Sequence, residues 1–294
     1  MVSAATGSCG LKRQSMPPPR RRDSLPRARK RFGQHFLVDN QALEAIAMLA
    51  TQDIEQDRVV EIGPGRGALT RPLLARVDRL VAIEIDRDLV AHLQAELDDP
   101  KLQVIEGDVL SVDLEALAAS ENSQRILVTG NLPYNISAPV LFKLREHAQL
   151  VRRAVLTLQK EVAERLVAQP GNRQYSLVTV LLGQCAHVEI HFTIPRGAFR
   201  PVPKVESAVL EICFEPQRVP VQNLQLFERI VRSAFSQRRK MLRNSLQSLN
   251  DVLQNRGLNL EEAASRANVD LTQRAENLSV EQYAILTRVI DPTH

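Results

Sequence analysis

Residues 58–70 read RVVEIGPGRGALT, a short apolar run that ends in a glycine-rich loop. Such a run, followed by a helical segment from about Ala68 to Arg76, predicts a buried β-strand that leads through a tight loop into a helix. Glycines let the main chain approach a ligand closely at the carboxyl end of a parallel strand. This unit is typical of α/β folds that bind adenosine-containing cofactors, and the rest of the chain is interpreted outward from it.

The same alternation continues on the carboxyl-terminal side of this unit. Four more strands are predicted, at RLVAIEID (79–86), LQVIEGD (102–108), RILVTGN (125–131) and RAVLTLQ (153–159). Apolar runs joined by helical segments, such as residues 87–97, predict a parallel sheet with helices on both faces. AHVEIHFTI (186–194) and SAVLEICF (207–214) are joined by a proline-rich loop instead, which predicts an antiparallel pair closing one edge of the sheet.

After Glu215 the strand pattern stops and helical periodicity takes over. Helices are predicted over residues 224–235, 239–249, 260–267 and 279–290, with an N-cap at Ser279 for the last. We therefore predict three segments: a disordered basic arm over residues 1–29, an α/β domain over 30–216 and a small all-helical domain over 217–294. The arm contains prolines and arginines and too few apolar residues to form a core.

Composition and charge exclude several classes of protein. Of the 294 residues 44% are hydrophobic and 24% charged, and no apolar run reaches the roughly 18 residues that a membrane span needs. Cys9, Cys185 and Cys213 lie far apart in the sequence, so we expect a reducing compartment, with neither a disulfide scaffold nor a metal site. Residues 1–31 carry nine Lys or Arg and one acid, so the net charge of +4 combines a basic arm with a mildly acidic body. Such an arm is a candidate phosphate-binding element.

The ends of the first three strands are candidate cofactor contacts. Glu84 closes the second strand about twenty residues after the glycine loop and suits the two hydroxyls of a ribose. Asp108 follows the third strand, where a carboxylate can accept a hydrogen bond from an adenine amino group or can simply cap a helix. Because Gly63, Gly65 and Ala68 also satisfy the dinucleotide fingerprint GxGxxG/A, these positions fit both a nicotinamide dehydrogenase and an S-adenosylmethionine (SAM) methyltransferase.

The segment GNLPYNIS (130–137) separates these two possibilities. Asn-x-Pro-aromatic at the end of the fourth strand resembles the signature of methyltransferases that act on the exocyclic amino group of adenine. The Asn131 side-chain oxygen and the Leu132 carbonyl can accept the two N–H bonds of the amine, which localises its lone pair toward the methyl donor. Pro133 stiffens the turn and Tyr134 can stack on the base. A dehydrogenase has no use for this arrangement.

With these segments together, the chain closely resembles the KsgA/RsmA family of small-subunit (16S) rRNA adenine N6,N6-dimethyltransferases, from about Lys30 to Tyr283. Besides the glycine loop and GNLPYNIS, the resemblance rests on RKRFGQHFL (29–37), LQKEVAERL (158–166), FRPVPKVESAV (199–209) and AFSQRRKMLRN (234–244). It implies a Rossmann-like SAM-dependent methyltransferase fold, with a seven-stranded mixed sheet, helices on both faces and a small helical C-terminal domain.

The resemblance also implies roles for individual residues. It places SAM contacts at His35, Leu37, Gly63, Gly65, Glu84, Asp108 and Asn131. The contact of His35 is expected through its backbone or a neutral ring nitrogen. Phe199 is expected to stack on the target base opposite Tyr134, which would form an aromatic clamp. Catalysis is thus assigned to Asn131, Leu132, Pro133, Tyr134 and Phe199.

A cluster of cations is the candidate RNA-binding element. Arg238, Arg239, Lys240 and Arg243 are the densest basic group outside the arm, and on a helix Arg239 and Arg243 would share one face. With Lys204 they could follow an RNA backbone, although a solvated helix face is the alternative.

The function expected from the whole sequence is methylation, by a cytoplasmic monomer using SAM, of two adjacent adenosines near the 3′ end of small-subunit rRNA. Each adenosine would receive two methyl groups. An Erm-type enzyme acting on large-subunit rRNA would share the glycine loop, the acids and NLPY, but it should lack the FRPVPKVESAV and FSQRRKMLRN combination. An RNA-binding ribosome-assembly factor with secondary methylation is the alternative from another class. DNA adenine methylation would normally need a sequence-reading domain that the short helical tail does not obviously supply.

Overall fold

The computed structural model describes residues 33–54, 57–119 and 125–292. The predicted basic arm, residues 1–29, lies outside them. The described chain begins with strand β1 (Phe36–Leu37), which pairs with the short strand β8 (Phe199–Arg200) in an antiparallel two-stranded sheet. Leu37 lies opposite Phe199 in this pair. The beginning of the described chain is thereby fixed beside the loop that precedes the last strand.

Within the described ranges the main sheet has seven strands, as the sequence predicts. Five of them are parallel: β2 (Arg58–Ile62), β3 (Leu80–Glu84), β4 (Leu102–Glu106), β5 (Ile126–Asn131) and β6 (Val151–Gln159). Strands β7 (Ala186–Ile194) and β9 (Ser207–Phe214) are antiparallel and complete the order β4-β3-β2-β5-β6-β9-β7. The predicted antiparallel pair at one edge is confirmed, and its bounds agree with the sequence prediction.

Helices cover both faces of this sheet. They are α1 (Asn40–Ala50), α2 (Thr70–Leu74), α3 (Arg87–Glu96), α4 (Leu114–Ala119), α5 (Ser137–Glu146), α6 (Lys160–Leu166) and α7 (Leu177–Gly183). Alternate residues of β2 point to opposite faces: Val60 joins a core with Leu117 of α4 and Leu141 of α5, whereas Val59 joins a second core with Ile46 of α1. The runs of buried residues in the parallel strands follow from this burial on two sides.

The helical portion begins after β9. It contains α8 (Leu224–Ser236), α9 (Leu242–Ser245), α10 (Asn250–Gln254), α11 (Leu260–Arg266) and α12 (Val280–Ile290). Ser279 caps α12 in a reciprocal capping box with Gln282, as the predicted N-cap requires. The core of this helical portion also includes Tyr175, which precedes α7, and Val180, which lies in α7. The helices therefore pack against the sheet portion through a continuous apolar core.

The predicted helix over residues 239–249 is wrong in its first turn and irregular beyond it. A turn follows α8 at residues 237–240, α9 begins only at Leu242, and a 3-10 turn over Leu246–Leu249 follows it. The main-chain N–H groups of Leu242 and Arg243 donate to the carbonyls of Gln273 and Leu271, at 2.8 and 3.1 Å. Hydrogen bonds to a distant segment thus replace those of the predicted first turn, and Arg239 and Arg243 do not share one helix face.

No helix in the described ranges is long and apolar enough to cross a bilayer.

Candidate active site

The predicted cofactor residues converge at the carboxyl edge of the parallel strands. Asp108 follows β4, Glu84 ends β3, Gly63 follows β2 and Asn131 ends β5, so the four positions follow the strand order across the sheet. They line a cavity of about 180 Å³. The predicted site residues in its wall are His35, Gly63, Gly65, Glu84, Asp108, Asn131, Leu132, Pro133 and Tyr134.

The glycine loop leaves room on its cavity side. Gly63 has a positive φ of 67°, and a Cβ built there meets nothing within 4 Å. Gly65 has a φ of 60°, and a Cβ there would lie 2.9 Å from the Phe36 ring. The left-handed backbone and the close ring explain why the loop needs glycine at both positions. The open space at Gly63 fits the close approach of a bound molecule to the main chain.

Glu84 is anchored by the loop that it faces. One carboxylate oxygen accepts the Gly65 N–H at 3.0 Å and the other accepts the Asp86 N–H at 2.9 Å. The residue is 4% exposed, and burial raises the pKa of its carboxyl despite these bonds. Each carboxylate oxygen retains further acceptor capacity. Glu84 is therefore oriented to receive hydroxyl donors from the cavity.

Asn131 is held by the segment at the beginning of the described chain. Its side-chain nitrogen donates to the His35 carbonyl at 2.8 Å. Because a carbonyl oxygen can only accept, this contact fixes which end of the amide faces His35. The amide oxygen is then the remaining group available to an incoming amine. The acceptor role expected for Asn131 thus has a defined orientation.

The His35 ring stacks beside Tyr134, with ring centroids 5.7 Å apart and planes inclined by 27°. Nδ1 lies 2.8 Å from the Pro201 carbonyl, so Nδ1 carries the proton and donates. The Tyr134 hydroxyl lies 3.3 Å from the Ser207 hydroxyl. These contacts join the beginning of the described chain, the turn after β5 and the loop between β8 and β9.

The Asp108 end of the cavity combines a carboxylate with an apolar surface. One Asp108 oxygen accepts the Leu110 N–H at 2.9 Å, which orients the side chain. Ile85, next to Glu84, lines the same cavity and is 47% exposed. An exposed isoleucine beside a carboxylate suits a flat heterocycle with amino groups at its edge. Sequence reasoning missed Ile85, although its apolar side chain between Glu84 and Asp86 was a usable signal.

Two predicted site residues lie away from the main cavity. Phe199 is 1% exposed and Leu37 is 4% exposed, and both belong to the core beneath the β1–β8 pair. The expectation that Phe199 stacks on the target base is corrected, because its ring is packed inside the protein. The side chain of Leu37 reaches only a smaller neighbouring cavity.

The basic cluster divides into two kinds of residue. Arg238 donates to the Arg173 carbonyl and, at 3.0 Å, to the Tyr175 carbonyl, and it pairs with Glu276 at 3.0 Å. This guanidinium ties three segments of the protein together while its side chain stays 43% exposed, so Arg238 has a structural role and its expected phosphate contact stays a prediction. Four other predicted RNA contacts have exposed side chains: Lys204, Arg239, Lys240 and Arg243.

A buried acid beside the site was also missed. Glu61 lies in the middle of the apolar run RVVEIG, which was the signal available in the sequence. It is 1% exposed, and burial raises the pKa of its carboxyl to about 8, with a contribution from Glu84 and a partial offset from the Thr70 hydroxyl. It lines a cavity of about 40 Å³ together with Gly63 and Asn131. Gly63 and Asn131 also line the larger cavity of about 180 Å³.

The sheet order, the helical cover and the cavity at the carboxyl edge of the parallel strands define the fold of SAM-dependent methyltransferases. Within that class the match is specific: the family model of ribosomal RNA adenine dimethylases matches residues 26–291. The chain belongs to the ribosomal RNA adenine dimethylase family. The resemblance drawn from the sequence motifs is confirmed, and so is the enzyme class.

Curated relatives agree with this assignment. "Ribosomal RNA small subunit methyltransferase A" of Geobacter metallireducens is 44% identical over 272 residues, which cover 90% of this chain and 96% of the relative. The protein of the same name from Bordetella pertussis is 47% identical over 224 residues, or 76% of this chain and 82% of the relative.

Solved structures support the same fold. A dimethyladenosine transferase from Plasmodium falciparum has a TM-score of 0.72 at 25% identity, covering 85% of this chain and 96% of its own. The 23S rRNA methyltransferase ErmE has a TM-score of 0.64 at 26% identity, covering 87% of this chain and 99% of its own.

Proposed function

We propose that this protein uses SAM to dimethylate N6 of two adjacent adenosines near the 3′ end of 16S rRNA within the small ribosomal subunit. The observation that carries this proposal is the oriented Asn131 amide at the end of β5, beside Leu132, Pro133 and Tyr134. Support for the small subunit comes from the relatives at 44% and 47% identity, whose names specify it. A ribosomal substrate implies a cytoplasmic reaction. We propose that the protein acts as a monomer.

The cofactor is assigned to the larger cavity by the chemistry of its wall. Ile85 and Asp108 suit the adenine ring and its amino group, Glu84 suits the ribose hydroxyls, and the open main chain at Gly63 allows close approach. Following the strand order, the reactive end of the cofactor then falls between β2 and β5. SAM, when bound, supplies an electrophilic methyl group there.

The amine is activated by position. An adenine amino group is a weak nucleophile because its lone pair is delocalised into the ring. The Asn131 oxygen and the Leu132 carbonyl accept its two N–H bonds, which favours a tetrahedral nitrogen with a localised lone pair. Pro133 orients the turn, and its own carbonyl already accepts the Ile136 N–H at 3.1 Å. Tyr134 offers a ring on which the base can stack.

We assign the binding of RNA outside the target base to exposed cationic side chains. Lys204 lies in the loop that ends at Ser207, whose hydroxyl contacts Tyr134, so this loop borders the entrance to the site. Arg239, Lys240 and Arg243 belong to the helical portion, which we propose as an RNA-recognition domain over residues 217–294. Contacts of this type bind phosphate without reading sequence.

The test is methyl transfer from labelled SAM to small subunits that lack the modification. Intact large subunits and free small-subunit rRNA serve as matched substrates. Labelled dimethyladenosine at two adjacent positions of the small-subunit rRNA is the expected product, identified by nuclease digestion and mass spectrometry. Preferential labelling of large subunits would replace the proposal with an Erm-type activity. Binding to small subunits without methyl transfer would indicate an assembly factor.

A further inference from the structure

The loop after β4 carries Asp108, the residue that we assign to the adenine amino group of the cofactor. The loop forms a tight turn, because the Asp108 carbonyl accepts the N–H groups of Ser111 and Val112 at 2.8 and 3.1 Å. Oδ1 of Asp108 accepts the Leu110 N–H at 2.9 Å. The direction of the Asp108 side chain therefore depends on where the main chain of Leu110 lies.

Lys143 of α5 holds this loop from the opposite side. Its Nζ donates to the main-chain carbonyls of Leu110 at 2.9 Å and of Val112 at 2.5 Å. Hydrogen bonds from a charged donor are about twice as strong as neutral ones, and the half-buried position of Lys143 shields them partly from water. The ammonium group therefore fixes the main chain of the turn that orients Asp108.

Helix α5 gives Lys143 a fixed position between the two halves of the site. The helix begins at Ser137, directly after the NLPY turn, and the Ser137 hydroxyl donates to the Pro133 carbonyl at 3.3 Å. Leu141 on the same helix is buried in the core that also contains Val109 of the loop after β4. Lys143 thus connects the turn proposed for the target base with the loop proposed for the adenine of the cofactor.

We propose that Lys143 is a positioning residue that sets the specificity of the cofactor site for adenine. Its ammonium group fixes the main chain of Leu110, and the Leu110 N–H fixes one oxygen of Asp108. The other oxygen then accepts the adenine amino group. Because the Asp108 side chain is exposed, it loses its fixed direction without this support. The inference rests on the cofactor assignment made above, and Lys143 acts through Asp108.

A purely structural role for Lys143 is the alternative. Val109 is buried, and Leu110 and Val112 pack against the same core, so the loop also has apolar contacts that hold it. If those contacts suffice, removing the ammonium group lowers the stability of the protein and leaves its preference for adenine unchanged. A test must therefore measure that preference as well as stability.

Two ligands that differ only at the adenine amino group measure the preference directly. S-adenosylhomocysteine and its 6-deamino analogue, in which a hydrogen atom replaces the amino group, are titrated by calorimetry into the full-length protein. The wild type should bind S-adenosylhomocysteine roughly 10–150-fold more tightly, because only this ligand donates to the Asp108 carboxylate.

Lys143→Met keeps the apolar stem of the side chain and removes its donors. It should weaken the binding of S-adenosylhomocysteine roughly 5–50-fold and leave the affinity for the 6-deamino analogue within about twofold of the wild type. With SAM as the substrate, the KM should rise by roughly the same 5–50-fold factor while kcat stays within about threefold, because the reacting groups are untouched. Unchanged affinity for the analogue shows that the variant is folded.

Arg145→Met supplies the matched control. Arg145 lies on the same helix and also donates to a main-chain carbonyl, that of Leu181 at 3.1 Å, and it pairs with Glu228 at 2.8 Å. This change should lower the unfolding temperature and leave the preference for S-adenosylhomocysteine as it is in the wild type. In a protein that already carries Asp108→Ala, Lys143→Met should not weaken binding further, because its effect passes through Asp108.

A Lys143→Met protein that keeps the wild-type preference, or that binds both ligands more weakly by the same factor, would overturn the proposal and leave Lys143 a structural role. Lys143→Gln, whose neutral amide reaches less far, gives the same test if Lys143→Met does not fold, and failure of both to fold would also indicate a structural role. Equal binding of the two ligands to the wild type would overturn the adenine assignment of Asp108. Failure of S-adenosylhomocysteine to bind at all would overturn the cofactor proposal itself.

Discussion

The side-chain nitrogen of Asn131 donates a hydrogen bond of 2.8 Å to the main-chain carbonyl of His35, which lies 96 residues earlier in the sequence. Because the nitrogen donates to His35, the amide oxygen is the acceptor atom that Asn131 can offer to an amine. The His35 ring is itself held between Tyr134 and the Pro201 carbonyl. The orientation of the proposed acceptor thus depends on residues from three separate segments.

Asn131→Ala should reduce methyl transfer roughly 10²–10³-fold, since one oriented polar contact to the transition state contributes about 3–4 kcal/mol. SAM affinity should stay close to that of the wild type, because the proposed role of the amide oxygen is toward the amine. Single-turnover rates and calorimetric SAM affinity separate the two effects. A rate within tenfold of the wild type would remove Asn131 from the catalytic assignment.

Glu84→Gln should affect the cofactor instead. Losing charge-assisted hydrogen bonds to ribose hydroxyls costs about 1.5–3 kcal/mol, so SAM affinity should fall roughly 10–150-fold. Lowering the pH should also weaken SAM binding. Burial raises the pKa of Glu84, so its protonation begins at a higher pH than for an ordinary glutamate. Calorimetry with SAM as a function of pH checks both, and an unchanged affinity in the variant would contradict the ribose assignment.

Tyr134 and Phe199 should give opposite results when each is changed to alanine. Phe199→Ala should lower the free energy of unfolding by about 3–5 kcal/mol, because a buried aromatic ring leaves a cavity. Tyr134→Ala should leave stability nearly unchanged and weaken methyl transfer roughly 10–100-fold through lost stacking on the base.

Denaturant unfolding and single-turnover methylation measure the two quantities on each variant. Phe199→Leu keeps the core filled and serves as the control, with methylation within about threefold of the wild type at a temperature where it is folded. A folded Phe199→Leu protein that has lost methylation would restore Phe199 to the site.

The cations of the helical portion should differ in their contribution to RNA binding. Changing Arg239, Lys240 and Arg243 together to alanine should weaken binding to small subunits and flatten its salt dependence. Each lost phosphate contact should reduce the slope of log K against log salt by about 0.7–0.9. SAM affinity should not change, because these residues do not line the cavity proposed for the cofactor.

Arg238→Ala is the matched control, because its guanidinium is bound to Glu276 and to carbonyls of the preceding segments. It should lower the unfolding temperature and leave the salt slope unchanged. A triple variant with wild-type subunit affinity and slope would identify these exposed residues as an ordinary solvated surface. A salt slope altered in Arg238→Ala would instead return this residue to the RNA surface.

The predictions that succeeded depend on local patterns. RVVEIG and RLVAIEID place apolar residues on both faces of a strand. This pattern is typical of a strand covered by helices on both faces, so it predicts the parallel sheet. The loop after β2 needs glycine because its backbone is left-handed at Gly63 and Gly65. NLPY carries its own chemistry at the end of β5. These features can be predicted because they depend mainly on residues that are close together in the sequence.

What only the tertiary structure decided depends on contacts between distant residues. Phe199 is in the core because β8 pairs with β1, and Arg238 is structural because Glu276 and residues 173–175 lie around it. In place of the helix turn expected from Arg239 onward, the main-chain N–H groups of Leu242 and Arg243 donate hydrogen bonds to residues 273 and 271. The sequence by itself determined the strands, the glycine loop and the family. Burial and hydrogen-bond partners far along the chain decided which of its chemical groups face the site.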